Sequence, residues 1–443
     1  MTEVRPFKAL LYNEEKVPRI EDVVTPPYDV ISGEEQCAFY DRHPYSIIRL
    51  DKCREEEVDG KKLTSQQGAA RHLQQWLDEG VLVRDEKPAY YLSAAEFPLN
   101  GRTVTRYGLI ARVRIQEYDK GAVLPHEQTH SKTKTERLEL MKACQANFSC
   151  IFSLYQDKQS VIDELKAFAA KEKPFIGHVD DLGHRHKVWR ITDETMCERI
   201  SSALAEEKLY IADGHHRYET AINYLNHLRE TGNIGEDHPA NFVMMYLSSM
   251  QDPGLVILPT HRLIKSVDDQ RMERLQKELA EYFDITEFSA TNGNAAEARE
   301  NLLKAMDEGA EGTGNVIGMC IKGDNTFRAL SLKPGIMDKV FADEMEKPLK
   351  RLDVSVLTSL VLERIMGMSH AELGDRDLFA YTSDSDEAIQ TVENGEREIC
   401  FLLNPATNEQ VCEVASSGLT MPHKTTFYYP KVVTGHVMNL LKA

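Results

Sequence analysis

Three kinds of feature are scarce in this 443-residue chain, and each scarcity excludes a class of protein. Cysteine is sparse: eight residues, at 37, 53, 144, 150, 197, 320, 400 and 412, with no CxxC pair among them. That spacing speaks against a zinc ribbon or a disulfide framework and for reduced thiols in a cytoplasm. No uninterrupted apolar run approaches the roughly 18 residues needed to span a bilayer. The opening MTEVRPFKALLYNEEK carries charges early and lacks a signal core, so neither a membrane span nor export is expected. Positive charge is also in deficit, with 53 Lys and Arg against 71 Asp and Glu, a net −18. A duplex held by phosphate neutralisation is therefore an improbable partner. No GxxxxGK[ST], GxGxxG or GxSxG motif occurs.

What is present is an ordinary globular composition, 42% hydrophobic and 28% charged, in a chain long enough for two domains. A helix is expected over Ser65–Glu79, with Leu73, Trp76 and Leu77 on one face and a stop at Gly80. PAYYLSAAEFPLNGRTVTRYGLIARVRIQEY reads as a hairpin around Asn100-Gly101. NFVMMYLSS and GLVILP suggest a second pair joined by MQDPG, and a helix is expected from near Thr135. Charged helix dominates 266–310. Beyond it come strands in NVIGMCIKG, TFRALSL and REICFLL and a helix in VSVLTSLVLERIM. The expected fold class is α+β, with a domain boundary near 265/266.

The stretch LYIADGHHRYETA, 209–221, carries the densest chemistry. An apolar strand, LYIA, ends in Asp213-Gly214, and Tyr218, Ala221, Ile222, Leu225 and Leu228 then recur at helical spacing. His215, His216 and Arg217 thus fall at a helix N-terminus, whose unpaired amides and dipole favour an anion. Arg217 could add a two-pronged grip on phosphate, and Gly214 would let the backbone approach a ligand. Asp213 also suits an N-cap, but a cap alone leaves unexplained why cation-capable residues crowd the positive end of a helix.

HEQTH at 126–130 matches HExxH, in which two histidines four apart on a helix hold zinc. Pro125 and polar flanks are a poor setting for that. A polar loop of His126, Glu127 and His130 lining a cleft fits better, and a zinc hydrolase stands as the third reading. TPPYDV places Tyr28 and Asp29 on a rigid turn as substrate contacts. His261-Arg262 in LPTHRL and Lys424 in MPHKTTFYYPK add basic residues at strand ends and turns, which suits an anionic small ligand.

TPPYDV, LPHEQTHSKTKTERLELMKA, IADGHHRYETA, ILPTHRL and MPHKTTFYYPK resemble, in order and over essentially the whole chain, the family known as domain of unknown function 1015. Within it, DGHHR and the helix after it resemble the phosphate-binding turn of the ParB/sulfiredoxin-like superfamily, which includes free serine kinases. The resemblance implies a ParB/sulfiredoxin-like core over 1–265, interrupted by an insertion at about 90–190, and a C-terminal α+β domain over 266–443. It implies Asp213 for metal or proton handling, and Gly214, His215, His216 and Arg217 for phosphate. Sulfiredoxins carry a cysteine at the position of His215, which argues against repair of oxidised cysteine. The kinases use a glutamate near their start; Asp29, Glu34 and Glu127 stand open as its equivalent.

The reading that follows is a kinase for a small hydroxylated metabolite such as free serine, using ATP or ADP with Mg²⁺. Its catalytic group would comprise Asp213, His215, His216 and Glu127, and its phosphate group Gly214, Arg217, His261, Arg262 and Lys424. Tyr28, Asp29, His126 and His130 would contact the substrate. The alternative is a nucleotide-binding ParB-like switch without kinase activity.

Overall fold

The structure, a computed structural model, describes residues 1–127, 131–232, 234–291, 294–311 and 314–442. Two compact units divide the chain. The first comprises Met1–Val256 together with the tail from Tyr428, and the second comprises Ile257–Phe427. The boundary therefore falls earlier than 265/266, and the chain returns to the first unit at its end. Backbone pairing explains the return: Met438 bridges Leu10, and Asn439–Leu440 pair with Ala146–Asn147.

The first unit is built on a sheet that has nine strands among the described residues. In chain order they are β1 (Val4–Arg5), β2 (Tyr90–Leu99), β3 (Arg102–Arg114), β4 (Val123–Leu124), β5 (Ile151–Tyr155), β6 (Ile176–Val179), β7 (Arg185–Ile191), β8 (Leu209–Asp213) and β9 (Phe242–Ser249). Across the sheet the order is β6-β7-β2-β3-β9-β5-β8-β4, with β1 beside β3. Residues 90–190 supply β2, β3, β5 and most of β7 to this sheet. The β2–β3 hairpin turns at Asn100 and Gly101, which both take positive φ (48° and 72°). This is the backbone that an Asn-Gly pair adopts at least cost. NFVMMYLSS becomes β9 but pairs with β3 and β5, not with GLVILP. Buried on both faces, it has no need of a hairpin partner.

Helix α1 (Ser65–Asp78) is capped by Thr64 and Gln67 reciprocally and buries Leu73 and Trp76. Helix α2 (Ser131–Cys144) starts earlier than the expected Thr135. Helix α3 (His215–Thr231) follows β8 directly and buries Tyr218, Ala221, Ile222 and Leu225, ending at Gly232. Against the sheet Tyr218, Ala221 and Ile222 join Leu92, Ile151, Ile211 and Met245 in one core.

The second unit holds a six-stranded sheet, again among described residues. Its strands include β10 (His261–Ile264), and a further strand, Phe283–Ser289, separates the two charged helices Asp269–Tyr282 and Ala295–Glu311. Mixed α+β architecture therefore holds in both units. Among the described residues no helix is long and apolar enough to cross a membrane.

Candidate functional site

The C-terminal end of β8 and the first turn of α3 set the geometry. Gly214 is the residue before the helix, at φ 93°, a conformation that L side chains rarely adopt. A Cβ there would lie 2.9 Å from the Arg217 guanidinium. Gly214, not Asp213, thus occupies the cap position, and the Asp213 carboxylate turns to other partners. Its Oδ1 accepts from Lys431 Nζ at 2.6 Å, and its Oδ2 accepts from Arg217 at 2.5 Å. Burial alone would raise this carboxyl, but Lys431 and then Arg217 outweigh it and hold the group well below the usual carboxylate range.

Arg217 differs from its expected role as an outward fork. The side chain is buried, and it also donates to the Cys150 carbonyl. Burial opposes its charge, yet Asp213 and Asp29 keep the guanidinium firmly protonated. Beneath it a small cavity is lined by Arg137, Asn147, Ser149 and Thr220. Arg137, which the sequence did not single out, lies 4.0 Å from the Tyr28 ring centre and pairs with the buried Asp51. Lys52 Nζ donates to the carbonyls of Tyr28 and Ile31, fixing the TPPYDV turn. On that turn Asp29 is exposed, although the protein beside it dehydrates its carboxyl in part. That dehydration first, and the Asp213 charge second, raise its carboxyl pKa against the pull of Arg217 and Lys431.

A second pair flanks the turn. His215 Nε2 accepts from the His126 backbone N–H at 3.2 Å, which assigns the ring proton to Nδ1, 3.5 Å from Glu127 Oε2. The His126 and His215 rings meet edge to face at 4.7 Å. Burial and the neighbouring imidazole push His215 down to about 3, so it is neutral near pH 7. His216, half-buried, is the neighbour in the same helical turn. His126 and Glu127 precede α2, which begins at Ser131, so they do not lie on the helix that an HExxH zinc site requires. His130 lies outside the described residues. Glu34 is exposed in the first turn of the helix Gly33–Arg42.

His261, Arg262 and Lys424 belong to the second unit. His261 Nδ1 accepts from the Leu403 N–H, and burial lowers it to about 4. Arg262 donates to the carbonyls of His423 and Lys424 at 3.2 and 2.9 Å, and burial lowers it to about 10. It lines a cavity of about 1090 Å³ with Lys333, Lys350, Asn315 and Asn404. Lys424 itself is exposed, at φ 59°.

The first unit therefore gathers Tyr28, Asp29, Glu127, Asp213 and Arg217 around one strand end, with Lys431 arriving from the tail. Of the two lysines in MPHKTTFYYPK, it is Lys431 and not the expected Lys424 that reaches Asp213. Arg217, Thr220, Ala221 and Tyr224 fall at i, i+3, i+4 and i+7 and are all buried, a phase that marks the guanidinium as inward.

A family described as "Protein of unknown function (DUF1015)" matches residues 4–355. No curated protein matches at a significant level. Among solved structures, a conserved hypothetical protein from Pyrococcus furiosus aligns at 15% identity over 73% of this chain and 92% of its own, TM-score 0.33. A free serine kinase in complex with AMP aligns at 13% identity over 72% and 86%, TM-score 0.33. C-terminally truncated SbnI from Staphylococcus aureus aligns at 11% over 74% and 86%, TM-score 0.33.

Proposed function

The chain belongs to the DUF1015 family, and from that premise we propose that its Asp213 site transfers a phosphoryl group from a nucleotide to a small hydroxylated metabolite. One observation carries the reading: at the N-terminus of α3 the Asp213 carboxylate gathers the cations Lys431 and Arg217, and its charge acts on the neighbouring Asp29, whose carboxyl is held above its usual range while that of Asp213 is held below. Such a split is how one site keeps one carboxylate ionised and makes the other a proton acceptor.

Phosphoryl transfer needs charge stabilisation and an aligned hydroxyl more than a covalent nucleophile. The first-turn amides of α3 and the Lys431 ammonium receive the phosphate charge. Asp213 stays ionised and holds Lys431 and Arg217 in place. Asp29, its pKa raised, takes the proton from the acceptor hydroxyl. Neutral His215 directs its Nδ1–H toward Glu127 and orients that carboxylate. Glu127, beside the His215 Nδ1–H, is an oxygen donor that would fit a magnesium ion carried on the nucleotide phosphates. Such an ion would neutralise the phosphate charge. His216 and Tyr28 border the space for the acceptor, and free serine is the first compound to try.

Thermal-shift titration of the full chain with ADP, ATP, CTP, GTP and pyrophosphate, with and without Mg²⁺, tests the reading, because a ligand specific to the folded state raises the midpoint by mass action. A nucleotide shift that Lys431→Ala abolishes is expected, together with serine phosphorylation that Asp29→Asn slows at least a hundredfold, as loss of a general base does. No shift with any nucleotide would overturn the proposal. Binding without turnover of any hydroxyl acceptor would replace it with the nucleotide switch.

A further inference from the structure

Away from the Asp213 turn, the hairpin β6–β7 carries HVDDLGHRH, residues 178–186, which the proposed reaction does not use. His186 lies in β7 and His184 immediately precedes that strand, two positions away, and pairing sets His178 directly opposite His186. The rings of His178 and His186 stack at 5.0 Å, and His436 from the tail packs on both. Four imidazoles thus crowd one carboxylate, that of Asp180, and all four are buried.

The carboxylate is aimed. Its Oδ1 accepts from the backbone N–H groups of Leu182 and His184, both at 2.9 Å, and so fixes the turn. Its Oδ2 is left to face His186 Nε2 at 2.8 Å and His184 Nδ1 at 3.3 Å. These ligand atoms all lie within 4.8 Å of one another. Beyond His184, the Nε2 atom meets the Tyr429 hydroxyl at 2.9 Å. A hydroxyl donates or accepts as required, so it can hold the ring whichever nitrogen carries the proton. Outer contacts of this kind orient metal-binding histidines.

We propose that Asp180, His184 and His186 form a binding site for a divalent first-row transition metal, with one coordination position open. Two nitrogens and a carboxylate oxygen suit zinc, iron or cobalt, whereas magnesium and calcium prefer oxygen donors throughout. Asp180 is a quarter exposed, and its open side gives the ion and its water an entry. The imidazoles of His178 and His436, in contact at 2.6 Å through their Nε2 atoms, back the ligand His186 from the protein side.

A rival cluster serves as a control. Cys53, Glu56 and His72 also converge, but Arg71 and His72 occupy the two oxygens of Glu56. Burial also raises the Cys53 thiol, which disfavours the thiolate a metal needs.

The test uses the untagged full chain, stripped with a chelator and titrated with Co²⁺ and then Zn²⁺. One Co²⁺ per chain is expected, with d–d absorption and no sulfur-to-cobalt charge-transfer band. Asp180→Asn keeps the turn-forming carbonyl oxygen, and His186→Gln keeps a polar side chain of moderate size. Each should lower Zn²⁺ affinity about tenfold or more, with unchanged circular dichroism, while Cys53→Ala leaves it unaltered. Affinity untouched by both hairpin substitutions would overturn the proposal. So would a sulfur band lost in Cys53→Ala, or an absence of stoichiometric binding. None of these outcomes depends on nucleotide binding.

Discussion

At the scale of single residues, Asp213 is the group on which the site turns. With Lys431→Ala one carboxylate oxygen loses its cation, and the folded protein should lose about 1–3 kcal/mol, read as a lower urea midpoint. The pH response has a definite sign. A carboxyl whose folded pKa is depressed contributes stability above its unfolded pKa, and that contribution disappears as the pH falls through the folded value. Losing Lys431 lets the Asp213 pKa rise, so acid unfolding of the variant should begin at higher pH than in the parent. That Asp213, Gly214 and the two histidines fall at a strand-to-helix turn was legible because an apolar strand gives way there to helical spacing. The partners were not legible. Lys431 lies 218 positions from Asp213, and no local pattern announces a contact at that separation.

At the scale of elements, the two turns with positive φ make opposite predictions about function. Gly101 sits at the tip of the β2–β3 hairpin with nothing within 4 Å of a built Cβ. Gly101→Val should therefore cost about 1–2 kcal/mol of backbone strain, seen in urea unfolding, and leave ligand response unchanged. Gly214→Ala meets the Arg217 guanidinium as well as the strain. It should shift that side chain off Asp213 and abolish the nucleotide thermal shift while the chain remains folded. Element identity was largely readable where local chemistry decides it: the Asn-Gly hairpin, the helix that stops before Gly80 and the periodic face of α3. Pairing was not. β9 reads from its sequence as half of a local hairpin, yet it lies between β3 and β5. A strand buried on both faces carries no alternation to say which neighbours it has.

At the scale of the whole molecule, the buried histidines of the first unit dominate its acid response. His126, His178, His215 and His436 all have lowered pKa values, each chiefly through burial. Below about pH 6.5 the unfolded chain takes up protons that these folded imidazoles refuse. Each such group costs stability at up to about 1.4 kcal/mol per pH unit. Asp29, raised, acts in the opposite direction, but it is one group against these four and His72, which burial also lowers. Urea unfolding of the metal-stripped chain should therefore show the first unit less stable at pH 5.5 than at pH 7.5, and an unchanged midpoint would contradict this burial. The tail that carries Lys431, Tyr429 and His436 also bears on how the molecule is made. A ribosome must emit the entire second unit before these residues appear, so neither the Asp213 site nor the surroundings of the histidine hairpin can be completed earlier. Nascent chains stalled short of residue 431 would expose an Asp213 carboxylate lacking one of its two cations, and the competence of the first unit thereby waits on synthesis of the second.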